Sequence, residues 1–244
     1  MVSATAVAHA VHEAGPDTDP DVDDPELDER ALDEDDEGAI GAAADPPRRQ
    51  GRAGSAIGRA VHATLQVIDL ADPAGPPDLD ALVQRECELE AIVDLAPQAA
   101  ARVRAALASD AVRLAATSVH HRELYVAAPV GRRVVEGYVD LLVETPDGLV
   151  VVDYKTDSAS SEAEIDAALA RYEAQGAAYA LALEVSTGLR VAEVRFVFCR
   201  PNGAIERRVT DLAGAMARVR RHLEPEGGAP VALAAVPDEA RGPE

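Results

Sequence analysis

The chain has 244 residues, 48% apolar but only 3% aromatic, which suffices for one domain whose core leans on Ala and Val. Its formal charge of −21 has the wrong sign for a surface that grips nucleic acid by charge alone. With only two cysteines, Cys87 and Cys199, a four-cysteine zinc or iron–sulfur site within the chain is excluded.

In chain order, residues 1–50 hold 15 acidic against 3 basic side chains, including the run DEDDEG at 33–38. Like charges repel, and little apolar surface offsets the entropy of ordering, so this stretch reads as a disordered acidic tail or linker. His9 and His12 lie in it at helical spacing and read as solvated. There is no charged-then-apolar leader and no run of about 18 apolar residues, so a soluble cytoplasmic protein without a membrane span is expected.

The globular domain is expected over 51–225, with a loose Pro/Gly/Ala-rich tail at 226–244. Ile57, Val61, Leu65 and Ile68 recur at helical spacing and predict a helix from about Ser55 to Ile68, with His62 on its flank. A Pro/Gly/Asp loop at 71–80 leads into helical periodicity over 79–116, interrupted near Pro97. Arg102, Arg104 and Arg113 on these helices read either as phosphate contacts or as solvated side chains. Over 119–130 the period drops to about two, which predicts a strand.

The stretch from Val134 to Asp157 carries the chemistry. Two apolar runs flank Thr145-Pro146-Asp147-Gly148, a turn signal, and predict a β-hairpin. With Glu144 opposite Leu149, paired positions sum to 293 and Asp140 falls across from Asp153. Side chains so placed stand roughly 4.5–5.5 Å apart, and Lys155 shares the face of Asp153. Two acids among Val and Leu repel and lose hydration unless a cation joins them. A hard divalent ion fits oxygen ligands, while an Asp–Lys pair on a solvated face is the alternative. Lys155 is the only lysine beside 22 arginines, a compact ammonium where the chain otherwise uses a planar fork.

Beyond the hairpin, Ser161 and Glu164 form a capping-box signature opening a helix to about Glu184. It carries Gln175 and Tyr179 one turn apart, and Gly176 between them admits a strand or ligand closely. Strands are predicted at 191–199 and 204–209 around Pro201-Asn202-Gly203, then a helix from about Asp211 to Pro225.

Asp140 followed by Asp153-Tyr154-Lys155 resembles the D…(D/E)xK core of the PD-(D/E)xK nucleases, with Val139 where the family name has Pro. GRAVH at 58–62, RELYVAAP at 122–129 and QGAAY at 175–179 extend the likeness to the RecB-like branch over roughly residues 55–205. The resemblance implies an α/β (α+β), restriction-endonuclease-like core: a central mixed sheet with a β-hairpin active site, flanked by helices. It implies metal ligands His62, Asp140, Asp153 and the backbone carbonyl of Tyr154, and catalysis by Asp140, Asp153 and Lys155. Glu123 would orient Lys155 or a water at the metal, or be a surface Glu. Gln175 and Tyr179 would contact DNA; read without the family, Tyr179 is equally a core residue.

The implied metal is Mg²⁺, with Mn²⁺ compatible because imidazole is a softer ligand, and no iron–sulfur cluster. The implied activity is DNA hydrolysis, as an exonuclease module of a helicase–nuclease in recombination and repair. Its partners would be single-stranded or end-bearing DNA and a helicase, separate or fused. Two readings stay open beside it: a catalytically silent module that binds DNA ends or a partner, and a stand-alone endonuclease of a defence system.

Overall fold

The computed structural model describes residues 1–13, 55–72, 76–156 and 161–224. Among them, six strands form one mixed sheet: β1 (Val2–Ser3), β2 (His120–Val130), β3 (Arg133–Thr145), β4 (Gly148–Lys155), β5 (Val191–Arg200) and β6 (Gly203–Arg208). The order is β1-β3-β4-β5-β6, with β2 also on β3; β1–β3 and β4–β5 are parallel, the other pairs antiparallel. The mixed sheet flanked by helices is the architecture that the family resemblance implied.

Two apolar cores lie on opposite faces of the sheet. One face is covered by α2 (Ala56–Val67), α3 (Leu79–Leu89), α4 (Ala96–Leu107) and α5 (Asp110–Ala116), which bury Leu141, Val143, Val150, Val152 and Tyr154. The other carries α1 (Ala4–Glu13), α6 (Glu162–Thr187) and α7 (Leu212–Leu223) over Val139, Leu142, Val151, Phe196 and Phe198. No described helix is long and apolar enough to cross a membrane.

The local signals act where their chemistry predicts. Ser55 caps α2 by accepting from Gly58 N, and Ser161 with Glu164 forms the full capping box of α6. The helical stretch at 79–116 is interrupted near Pro97 as expected, over 90–95, and again at 108–109; Pro97 itself stands in the first turn of α4, where its missing N–H costs nothing. The hairpin has the 293 register from Thr145↔Gly148 to Leu141↔Val152, so the connecting loop is two residues, one pair tighter than the four-residue turn read from sequence. Gly148 permits this closure with φ 129.

The first 13 residues differ from the tail expected over 1–50. β1 pairs with Val135 and Glu136, and Ala4, Val7 and Ala8 are buried against α6. The signal was legible, because residues 4, 7, 8 and 11 are apolar at helical spacing. Averaging them with the acidic run that follows hid it. The remainder of that tail, and the 226–244 tail, lie outside the described residues.

Candidate functional site

The site begins with a fork in the sheet. β3 pairs with β4 only as far as Leu141↔Val152, and with β1 at Val135 and Glu136, so Asp140 stands where β4 parts from β3. The neighbouring strand β2 places Glu123 opposite Asp140, between the pairs Arg122↔Leu141 and Leu124↔Val139. Both strands change face there. Leu124 and Val139 pack toward α6, whereas Leu141 packs toward α2 and Arg122 donates to Leu65 O and Ile68 O at the end of α2. Residues two apart in a regular strand share a face. The reversal is located at Glu123, whose φ is 51, a conformation costing a non-glycine residue about 1–2 kcal/mol.

That reversal brings Glu123 to His62 and Asp140. The three offer ligand atoms all within 4.8 Å of one another and could hold a metal ion. Asp140 Oδ2 accepts from Tyr154 N at 2.8 Å, and His62 Nε2 lies 2.9 Å from Tyr154 O, with Nδ1 3.2 Å from Asp140 Oδ1. Both ring nitrogens thus face oxygen acceptors. A neutral imidazole has a single N–H, so the arrangement is satisfied by a second proton or by a cation in its place. This donor set of imidazole, carboxylates and carbonyl fits a divalent metal.

On the α6 side of the fork, Lys155 Nζ lies 3.0 Å from Asp153 Oδ1, donates to Gln175 Oε1 at 2.9 Å, and stands 4.0 Å above the Tyr172 ring. Asp153 and Lys155 are 6% and 8% exposed, so this pair is buried and the solvated-face alternative does not apply. Burial pushes the Asp153 carboxyl up to about 6, Lys155 pulling it down and the Asp140 charge adding to the rise. Its electrostatic interaction with both Asp140 and His62 links the two halves of the site.

Gln175 and Tyr179 take up interior positions. Gln175 is 8% exposed and holds Lys155, while Tyr179 is 6% exposed with its ring seated on Gly137, where a Cβ would stand 2.8 Å from Cε1. The exposed aromatic rings are Tyr125 and Tyr138, side by side with centroids 5.2 Å apart, two residues from Glu123 and Asp140 respectively. Sequence alternation placed Tyr125 on a strand face but gave no reason to single it out. Of the arginines read either as phosphate contacts or as solvated side chains, Arg102 donates to Cys199 O, while Arg104 and Arg113 pair with Asp80 and Asp110 with 44% and 58% of their side chains exposed.

The sequence matches the model of the family described as PD-(D/E)XK nuclease superfamily over residues 37–238. It is 33% identical over 175 residues to an ATP-dependent helicase/nuclease subunit from Desulforudis audaxviator, covering 64% of this chain and 14% of that protein. It is 40% identical over 70 residues to the protein of the same name from Acetivibrio thermocellus, covering 29% of this chain and 5% of that one. The chain therefore spans a small part of these relatives. A solved structure titled "Crystal structure of SSO0001" is similar at 14% identity and a TM-score of 0.31, over 70% of this chain and 85% of that one, too low to bear on function.

Proposed function

Because this chain belongs to the PD-(D/E)XK nuclease superfamily, we propose that it hydrolyses DNA phosphodiester bonds with a divalent metal, Mg²⁺ or Mn²⁺. The observation that carries this reading is the buried Asp153–Lys155 pair set beside the His62–Glu123–Asp140 group across one fork in the sheet.

His62, Asp140 and the Tyr154 carbonyl would hold the ion, with Glu123 as a further oxygen donor and Asp153 completing the set once it releases its proton. The ion would neutralise phosphate charge and acidify water. Lys155, held by Gln175 and Asp153, directs a compact positive charge into the fork, where it can steer an attacking water or stabilise charge developing on the phosphate. Glu123 is better read as a metal-side group than as a partner of Lys155, since it stands with His62 and Asp140. Gln175 aims Lys155, and the exposed Tyr125–Tyr138 pair offers ring faces to an unpaired base in place of the buried Tyr179.

The substrate we favour is single-stranded or end-bearing DNA, degraded exonucleolytically. With a formal charge of −21, and with Arg59 and Arg102 engaged within the protein, autonomous affinity should be weak. The relatives' name suggests the remedy: a helicase, fused or separate, that delivers the strand to this module during recombination or repair.

The test uses end-labelled single- and double-stranded DNA beside closed circular DNA, each with Mg²⁺, Mn²⁺ or chelator. Metal-dependent loss from ends, a resistant circle and stimulation by a helicase are the expected results. Absence of cleavage under every metal condition would sink the reading.

A pH dependence follows from Asp153. The unfolded carboxyl ionises near 3.8, the folded one near 6, so the metal-free fold binds the extra proton between these values. Its contribution to stability is full below about 4 and is lost as pH rises through about 6. Metal must displace that proton, so Mn²⁺ affinity measured by calorimetry should be about tenfold lower at pH 5 than at pH 7. Equal affinity at the two pH values would remove Asp153 from the ligand set.

A further inference from the structure

Residues 1–13 precede the segment matched by the nuclease family, which starts at 37, yet they reach the centre of the site. Gln175 Nε2 donates to Thr5 Oγ1 at 3.0 Å across 170 positions of sequence. The orientation of this amide is forced. An ammonium offers only donors, so Lys155 must face Gln175 Oε1, which leaves the NH₂ end for an acceptor. Thr5 supplies that acceptor. An unbroken series therefore runs from Thr5 through Gln175 and Lys155 to Asp153, with steps of 3.0, 2.9 and 3.0 Å.

Thr5 is itself held from two directions. It lies in the first turn of α1, where Ser3 Oγ accepts from Ala6 N at 3.0 Å. Its neighbours Ala4, Val7 and Ala8 are buried, and Val2 and Ser3 are paired to β3. β1 thus occupies the edge of β3 that β4 leaves on parting from it, and the fork that frees Asp140 from strand pairing with β4 also creates the seat for this segment.

We propose that Thr5 is a positioning residue for the reaction, acting through Gln175 to aim the Lys155 ammonium; this rests on the nuclease reading above. The terminal torsion of a Gln side chain is broad, so nothing intrinsic to Gln175 keeps its oxygen toward Lys155. With Thr5 removed, the NH₂ group is left buried without its acceptor, and relieving that cost draws the amide out of line with the ammonium in part of the population. Lys155 then keeps Asp153 but loses the second contact that fixes its direction.

The chain's single lysine gives a readout that does not depend on activity. Thr5→Val keeps shape and removes the acceptor, whereas Thr5→Ser keeps the hydroxyl. On single-stranded DNA with Mg²⁺, Thr5→Val should lower kcat about tenfold with KM unchanged, and Thr5→Ser should stay within about twofold of the parent. Acylation of Lys155 by an activated acetate ester, followed by peptide mass, should quicken at least about threefold in Thr5→Val and not in Thr5→Ser. Hydrogen exchange across α1 should be equal in all three proteins; if Val loosens α1, Thr5→Ala replaces it in the comparison.

An unchanged kcat in the variant, with the parent active, overturns the proposal and leaves the nuclease reading standing. A parent that cleaves nothing defeats the nuclease reading instead. Lys155 acylation then decides the role of Thr5 by itself, and equal rates in parent and variant overturn it.

Discussion

Lys155→Ala should reduce metal-dependent DNA cleavage by about a thousandfold, and Asp153→Ala by at least as much, in proteins that still fold. Lys155 is the one lysine in the chain, set against Asp153 on β4 and against Gln175 and Tyr172 on α6. Removing it deletes the cation proposed to act on the phosphate and leaves the ionised Asp153 less compensated. Metal occupancy softens that loss of compensation, so circular dichroism and thermal melting with Mg²⁺ should stay close to the parent. Lys155→Arg should fail nearly as badly. A planar fork cannot place a point charge over the Tyr172 ring at 4.0 Å and still meet both oxygens. In the Asp153 variant the defect lies on the metal side, and Mn²⁺ affinity should fall with activity. Cleavage at parental rates by either purified variant would break the assignment of roles.

Gly176→Ala should lower the thermal midpoint by about 3–6 °C, although alanine is the better helix former by about 1 kcal/mol. α6 crosses β5 so closely that a Cβ on residue 176 would stand 2.5 Å from Val194 Cγ1 and 3.1 Å from Phe196 Cζ. Neither atom is the end of a flexible side chain. Val194 and Phe196 are fully buried in strand β5, so relief requires the helix to move away. Overpacking of this kind costs roughly 1–3 kcal/mol or more, which exceeds the gain in propensity. Gln175 is the adjacent residue, so the displaced helix should also pull its amide from Lys155 and lower kcat. Calorimetry checks the first effect and steady-state kinetics the second. A variant more stable than the parent would mean that the approach of helix to strand is looser than these distances.

Features governed by neighbours in sequence were legible beforehand. The hairpin register followed from a turn signal and a period of two, because a slip of one residue would have put Val and Leu on the wrong faces. Ser161 announced its helix, since capping involves atoms three residues apart. Gly176 was readable as a point of close approach, though not as an approach by β5. Composition misled at the N-terminus, where a short amphipathic stripe preceded a strongly charged run. Alternation misled at Glu123, because a single residue with positive φ reverses the faces of everything beyond it. Tyr179 had two readings from sequence, and its burial over Gly137, which no local pattern announces, accords with the core one.

The sequence by itself determined five of the six described strands, β2 to β6, how β3 meets β4, and that Asp140, Asp153 and Lys155 belong to one hairpin. Those outcomes depend on hydrogen bonds and side-chain periods that act over a few residues. The tertiary structure alone decided that the hairpin opens at Asp140, that Glu123 joins His62 there, and that Thr5 reaches Gln175. Each of these depends on where distant segments compete for one strand edge or one buried polar group, and no local pattern in the chain encodes the winner.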